Sequence, residues 1–542
     1  MVDLSEPIET YKVTLKEKFN TEAENYWKEL VKEAGTKLPE NELTCKEYYD
    51  LKKKEAENQK QLDRTKGLKN FFKTVGIIAL IVGAILLIYG ISESKTGFIV
   101  AGAILPVVGI IVIILAVKLP KQKIKMLEEK VAKLREESSE KLKLAYQQMK
   151  TLNSLYDWNI PAKIFNRLKT VIEMDQYFDV EKFQFLQDRY GLADQFGETT
   201  STLCVQSGSV LGNPFLIVKT LDQYWYTKRY ENSIVIHWTT TEHTKNGTRT
   251  VHHSQTLTAY VDKPAAGYNR NTTLIYGNEA APNLSFSRGP SGIDGMNEKQ
   301  IEKMIAKETK GFEKKARKAL TDNNPNTNYV QFGNNEFESL FGGENRDNEV
   351  EFRLLFTPLA QNNLIKLIKS KDGFGDDWYF QKAKKLNYIQ SAHSQSFDYY
   401  ANPEYFVDFD SQKAPERFIN YNNAFFKSFY FDLAPLMSIP LYQQMKTKEY
   451  IYKRKFQGNV TYYEDEMMAN SFGGKAFAHE MSQTENILKT ELNKTVGGTD
   501  EVVVSAHGFF LQEHVDYFEK WGGDGRMHTI PVTWYEYIPV CK

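Results

Sequence analysis

The chain has 542 residues, more than one hydrophobic core usually organises, so two or more structural units are expected. Its 41% hydrophobic and 25% charged residues exclude broad disorder. Lys+Arg and Asp+Glu balance at 69 each, so no global field selects nucleic acid as a partner. The three cysteines, Cys45, Cys204 and Cys541, are odd in number and far apart; they fit a reducing compartment and form no disulfide framework. The start, MVDLSEPIETYKV, lacks the basic residues and short apolar core of a cleavable signal.

Residues 1–73 read as an N-terminal helical region, with Tyr11, Leu15, Phe19, Tyr26 and Leu30 at helical spacing and Pro39 separating two helices. Residues 74–118 hold the only membrane-grade sequence. Val75 to Ile91 is an apolar run of 17 residues, about 26 Å as a helix, and Gly97 to Val117 is one of 21, about 32 Å. Both are near the hydrocarbon thickness, and Ser92 to Thr96 leaves room only for a tight turn. Gly76, Gly83 and Gly90 recur every seven residues on the first run; Gly102, Gly109 and Ala116 do so on the second. Each set predicts a small-residue stripe through which two helices approach closely in lipid. Neither run contains Asp, Glu, Lys, Arg or His, and Tyr89, near an end, is the only polar side chain, which favours an anchor over an ion or proton pathway.

Positive charge indicates the side. Lys60, Arg64, Lys66, Lys69 and Lys73 precede the first run. Lys118, Lys121, Lys123, Lys125, Lys130, Lys133 and Arg135 follow the second, and the loop between holds only Lys95. This bias places both termini in the cytoplasm. Lys118, Lys121, Lys123 and Lys125 are expected to meet anionic headgroups.

Residues 119–160 predict a coiled-coil-like stalk helix. Its seam runs through Ile124, Leu127, Val131 and Leu134, slips at Ser138, and resumes at Leu142, Ala145, Met149 and Leu152. The simplest partner is the segment 45–72, as an antiparallel stalk; self-association through the seam is the alternative.

Residues 161–320 read as a β-rich subdomain. Asn246-Gly247, between two β-branched runs, predicts a two-residue hairpin with Lys245 opposite Thr248 and Ser233 opposite Tyr260. Ile234, Ile236, Trp238, Val251, Leu257 and Ala259 then share the core face, and His237, His243 and His252 the other. In that register His243 and His252 are diagonal neighbours, within reach of a shared metal ion, although no cysteine or carboxylate at ligand spacing joins them. Residues 296–320 predict an amphipathic helix.

Residues 321–542 read as an α+β subdomain, with helices near 357–370, 415–432 and 476–494, and strands at 377–400, 501–506 and 530–540. Phosphate-loop, dinucleotide and nucleophile-elbow motifs are absent, and no cofactor is implied. His479-Glu480 would open a metalloprotease helix, but Gln483 stands where the second histidine is needed. His507, His514 and His528 are the candidates for a hydrolytic or metal site if the fold brings them together. Asp376-Asp377 and Glu464-Asp465-Glu466 read as a turn and a solvated face.

EFESLF (336–341) and VEFRLLFTPLAQNNLIKLIKS (350–370), with Glu351, Arg353, Leu355, Thr357 and Pro358 in the key positions, resemble a bacterial membrane-protein family. In that family two N-terminal spans precede a large cytoplasmic domain of unknown function. The resemblance implies an inner-membrane setting and brings no catalytic residues. The expected fold is α+β: a two-helix transmembrane hairpin, flanking coiled-coil-like helices, and a soluble domain with an antiparallel sheet. The expected function is a membrane-anchored cytoplasmic interaction or scaffolding protein, partnered by the bilayer and by a protein or a second copy. A membrane-tethered metal-dependent hydrolase using the C-terminal histidines is the alternative.

Overall fold

The computed structural model describes residues 6–92, 95–118, 120–193, 197–244, 247–321, 333–452, 462–497 and 499–542. They form two compact units. One comprises Glu24–Asp157 and Asn402–Asn420; the other comprises the described residues through Ala23 with Trp158–Ala401 and Tyr421–Lys542.

The chain opens with α1 (Pro7–Thr10), a π-helical turn (Tyr11–Leu15) and α2 (Lys16–Ala34). Gly35, at φ 61°, ends α2 in the left-handed conformation that glycine adopts without strain. Pro39, in the first turn of α3 (Leu38–Ser92), costs no helical hydrogen bond there. Then follow α4 (Thr96–Lys118) and α5 (Lys121–Asn153). At 55 residues, α3 is one uninterrupted helix of about 82 Å. It pairs with both α4 and α5.

In the first unit α3 and α5 run side by side. Leu62 packs on Ile124 and Leu127, and Glu47–Lys141, Glu55–Arg135 and Lys66–Glu128 bridge the pair at 2.5, 3.1 and 2.7 Å. These contacts run antiparallel. The buried positions Ile124, Val131, Ser138, Ala145 and Leu152 keep a seven-residue step. The seam therefore passes straight through Ser138 instead of slipping there, because the small hydroxyl is satisfied locally by the Arg135 carbonyl at 3.0 Å. The fully buried Asn41 amide joins the stalk to the short segment carrying α13 (Pro403–Phe406). It donates to the Ala145 and Phe409 carbonyls and accepts from the Ser411 amide.

The second unit is α+β. A seven-stranded antiparallel sheet has the order β1-β2-β3-β4-β7-β6-β5, and a three-stranded one β10-β9-β8. The strands are β1 (Ile172–Met174), β2 (Thr200–Val210), β3 (Asn213–Thr244), β4 (Gly247–Gly277), β5 (Ser285–Arg288), β6 (Trp378–Ala383), β7 (Leu386–Ser391), β8 (Ile487–Val496), β9 (Thr499–Trp521) and β10 (Met527–Cys541). Because β4 pairs with β7, the segments on either side of the expected division at 321 build a single sheet. The helices are α6 (Ile160–Asn166), α7 (Val180–Phe185), α8 (Glu298–Thr321), α9 (Asn335–Phe341), α10 (Glu349–Leu355), α11 (Pro358–Lys369), α12 (Ala392–Ser396), α14 (Lys413–Met437), α15 (Lys448–Ile451) and α16 (Tyr462–Ser471).

Beyond Gln223, β3 and β4 continue as a two-stranded ribbon. Its inner face, with Tyr230, Ile236, Leu257 and Ala259, packs on Ile530 and Val532 of β10. The expected face assignment holds, but the register differs by two residues: Ser233 lies opposite Thr258, and Gly247 pairs with Thr244. Residues 245–246 lie outside the described residues. A two-residue slip keeps each side chain on its face, so the hydrophobic pattern alone does not distinguish the two registers.

The expected helix at 476–494 is replaced by strand β8, which pairs with the valine-rich start of β9. Leu488 and Thr490 are buried there, so tertiary pairing overrides the helical preference of Leu, Lys and Glu. The aromatics of α14, Phe425, Phe426, Phe429, Tyr430 and Phe431, are buried and form core rather than an exposed surface.

Candidate functional site

The hairpin is built on two stripes of small residues. The glycine faces of α3 and α4 meet backbone to backbone. A Cβ on Gly76 would lie 2.9 Å from the Gly109 carbonyl, and one on Gly109 2.7 Å from the Gly76 carbonyl. One on Gly83 would reach Pro106 at 2.5 Å; on Gly90, the Ile99 nitrogen at 2.7 Å; on Gly102, the Leu87 nitrogen at 2.6 Å. Ala116 is buried in the same stripe. The opposite faces present exposed Ile81, Ile85, Ile88, Ile104 and Ile110. Both helices are long and apolar enough to cross a membrane, by length and composition.

Below the hairpin lies a basic collar. Between Asp63 and Glu128 the described residues contain no acidic side chain. The same stretch carries Arg64, Lys66, Lys69 and Lys73 on α3, Lys118 at the end of α4, and Lys121, Lys123 and Lys125 on the first turns of α5. Lys66 pairs with Glu128, and Lys125 lies 3.8 Å from Glu129; both pairs are exposed. Leu68, Phe71 and Phe72 of α3 are exposed beside these cations.

The candidate metal ligands do not converge. In the observed register His252 faces Thr239 while His243 faces Thr248, four positions and roughly 14 Å further along the strand. The two-residue register difference thus separates a pair expected to be diagonal. His507 and His514 are seven apart on β9 and so point to opposite faces, roughly 24 Å apart. His528 pairs opposite Lys520, six positions beyond His514. Each of the two has its own carboxylate: His514 to Glu536 and His528 to Asp524, both at 2.9 Å. Among the described residues no group of three or more His, Cys, Asp or Glu is placed to hold a metal ion.

One more histidine, whose side chain is buried, sits between two carboxylates and carries no sequence signal. His393, in α12, places Nδ1 2.7 Å from Asp377 Oδ2 and Nε2 3.1 Å from the Ser428 carbonyl and 3.4 Å from Asp432 Oδ1. Each ring nitrogen faces an acceptor, an arrangement that favours the imidazolium form. Burial works against that charge, but the hydrogen bond to Asp377 and the fields of Asp432 and Asp377 raise the His393 pKa above its ordinary value. Burial also raises that of Asp432, against the His393 charge. Asp432 Oδ2 accepts from Ser394 and, at 2.9 Å, from Tyr399. Phe374, flanked by Gly373 and Gly375, covers the imidazole at a centroid distance of 3.8 Å. The cluster places opposite charges together inside the fold.

One residue of each acidic stretch, expected as a turn and as a solvated face, is a buried partner. Asp376 binds Arg288 and accepts from the Ser291 amide and hydroxyl. Glu466 binds Lys489 and accepts from the Thr202 amide at 2.8 Å. Their partners are 88 and 23 residues away along the chain, so local spacing carries no sign of them.

No family model, no curated protein and no solved structure matches this chain. The family resemblance therefore rests on its quoted motifs, and here they have structural duties. Phe337 and Phe341 of α9 stack with Phe352 and Phe356 around Phe286. Thr357 caps α11, accepting from the Ala360 amide, with Pro358 in the first turn. Glu351 accepts from the Asn283 amide and side chain at 2.9 and 2.8 Å.

Proposed function

We propose that this protein is an interaction or scaffolding module anchored in a bacterial inner membrane by a two-span hairpin, with both termini and the β-rich unit in the cytoplasm. The observation that carries the reading is the basic collar, acid-free from Asp63 to the first span and from the second span to Glu128. The connecting loop offers Lys95 alone as a cation. Such asymmetry orients a hairpin during insertion. Apolar spans without Asp, Glu, Lys, Arg or His suit an anchor.

The interaction part rests on the outer face of the β9–β10 ribbon. Tyr517 lies opposite Pro531, Trp521 opposite Met527, and Val515 opposite Thr533. Tyr517 and Trp521 are 70% and 67% exposed, high for aromatics that cost free energy in water. Along β10, Pro531 and Pro539 remove backbone donors and so discourage indiscriminate strand addition. Self-association through the stalk is the weaker form of the reading, because the apolar seam of α5 is filled by α3 of the same chain. The described residues do not bring His507, His514 and His528 together, which makes a membrane-tethered metal-dependent hydrolase the weaker reading.

Cys541 supplies the topology test. It is exposed, whereas Cys45 and Cys204 are buried, and burial pushes their thiols up to about 11 and about 12. A membrane-impermeant maleimide is expected to leave Cys541 unmodified in intact cells and to label it after permeabilisation. Labelling before permeabilisation overturns the orientation. For the partner, crosslinking followed by pull-down is expected to yield a specific species that Tyr517→Ser with Trp521→Ser removes.

A further inference from the structure

A cleft of about 410 Å³ lies between the start of α2 and the middle of α14, within the β-rich unit. The two helices run antiparallel there: Tyr11 meets Tyr430 at 5.5 Å, and Phe19 stacks on Phe426 at 4.3 Å with planes 5° apart. Tyr11 and Phe426 line the cleft. Asn20 and Asn423 line it too and are joined by a hydrogen bond of 2.7 Å.

Lys16 is one turn before Asn20 and Lys427 one turn after Asn423, so the antiparallel arrangement brings both lysines to the same end of the cleft. Their neighbours are satisfied: Lys12 pairs with Asp372 at 2.8 Å, and Lys18 donates to the Leu168 carbonyl at 2.7 Å. Among the described residues neither Lys16 nor Lys427 has a carboxylate within ion-pair distance; Lys427 lies instead over the Phe374 ring at 4.5 Å. Two lysines stand against the single carboxylate of Glu17. Like charges brought to one end of a concavity repel unless an anion lies between them. We propose that this cleft binds a small molecule with a carboxylate or phosphate head held between Lys16 and Lys427 and an apolar body lying on Tyr11 and Phe426.

The full chain in detergent micelles, titrated with phenyl phosphate and with benzoate by calorimetry, tests the proposal. Saturable binding of at least one probe is expected, tighter than that of inorganic phosphate because of the apolar body. Lys16→Gln and Lys427→Gln are each expected to weaken it by about tenfold or more, and Lys16→Arg to retain it. Without ligand, Lys16→Gln should melt no lower than the wild type, since it relieves repulsion; this separates lost binding from lost folding. Absence of saturable binding by both probes, or affinities unchanged in both glutamine variants, overturns the proposal. A third arm uses vesicles with and without phosphatidic acid. Lysine-dependent binding to those vesicles without any response to the soluble probes would assign the cleft to a lipid headgroup and overturn the small-molecule reading.

Discussion

In the hairpin, Gly102 is pressed so closely against α3 that a single added carbon would sit 2.6 Å from the Leu87 backbone. In the seven-stranded sheet, Arg288 is as deeply buried, yet it carries a full charge, with Asp376 and the Trp378 carbonyl for partners. The first region is held by close approach of backbones, with no group whose charge must be matched. The second tolerates this charge inside because Arg288 and Asp376 are partners. In a bilayer the helices would have no hydrophobic drive to associate, and close fit would have to supply it. Water supplies that drive to the β-rich unit and leaves room for buried polar groups, provided none is orphaned. The two regions should therefore fail in different ways when damaged.

The largest expected effect is in the sheet. Arg288→Met leaves Asp376 buried with only the Ser291 amide and hydroxyl, and should cost about 3–5 kcal/mol in urea unfolding. Adding Asp376→Leu should restore much of that loss; failure to do so would mean that shape, not charge, dominates at this site.

Next is His393. Its raised folded pKa means that its stabilising contribution is fully present below the unfolded value of about 6.5 and is lost as pH rises through the folded value. His393→Gln is expected to cost about 2–3 kcal/mol at pH 6. The gap to wild type should narrow as the pH is raised; a gap independent of pH would show that the ring is neutral in the fold.

The hairpin should show the opposite signature. Gly83→Leu or Gly102→Leu is expected to loosen the helix pair by about 1–3 kcal/mol, read by fluorescence transfer across the hairpin in detergent. The result should not depend on pH. Gly97→Leu is the control: no atom lies within 4 Å of its Cβ position, and the pair should be unaffected. Smallest of all, Arg135→Ala should cost under about 1 kcal/mol, since the arginine is two-thirds exposed although its partner Glu55 is buried.

The contrast also explains what could be read in advance. The hairpin and stalk are local and periodic, so their spans and stripes are written in neighbouring residues. So are the faces of the β3–β4 ribbon. Its register is not, because a slip of two residues preserves every face. Nor are Arg288–Asp376 or His393–Asp432 visible, since each pair unites residues from separate elements. His393 sits in SAHSQS among small polar residues, and nothing in that stretch announces the two carboxylates that enclose it. Strand β8 was hidden for the same reason: its helix-favouring residues yield to a partner strand that follows it in the chain.

The uninterrupted course of α3 has a mechanical consequence. Its buried positions Glu55, Leu62, Gly76, Gly83 and Gly90 are separated by multiples of seven, so stalk seam and glycine stripe follow one heptad phase. On the other side, the step from Ala116 to Ile124 is eight, and the break between α4 and α5 absorbs the difference. Deleting one residue of α3 between Leu62 and Gly76 would turn the two halves of the rod by about 100° against each other. Seam and stripe could then no longer engage together. In α3, then, membrane run and stalk are keyed to each other along a single shaft.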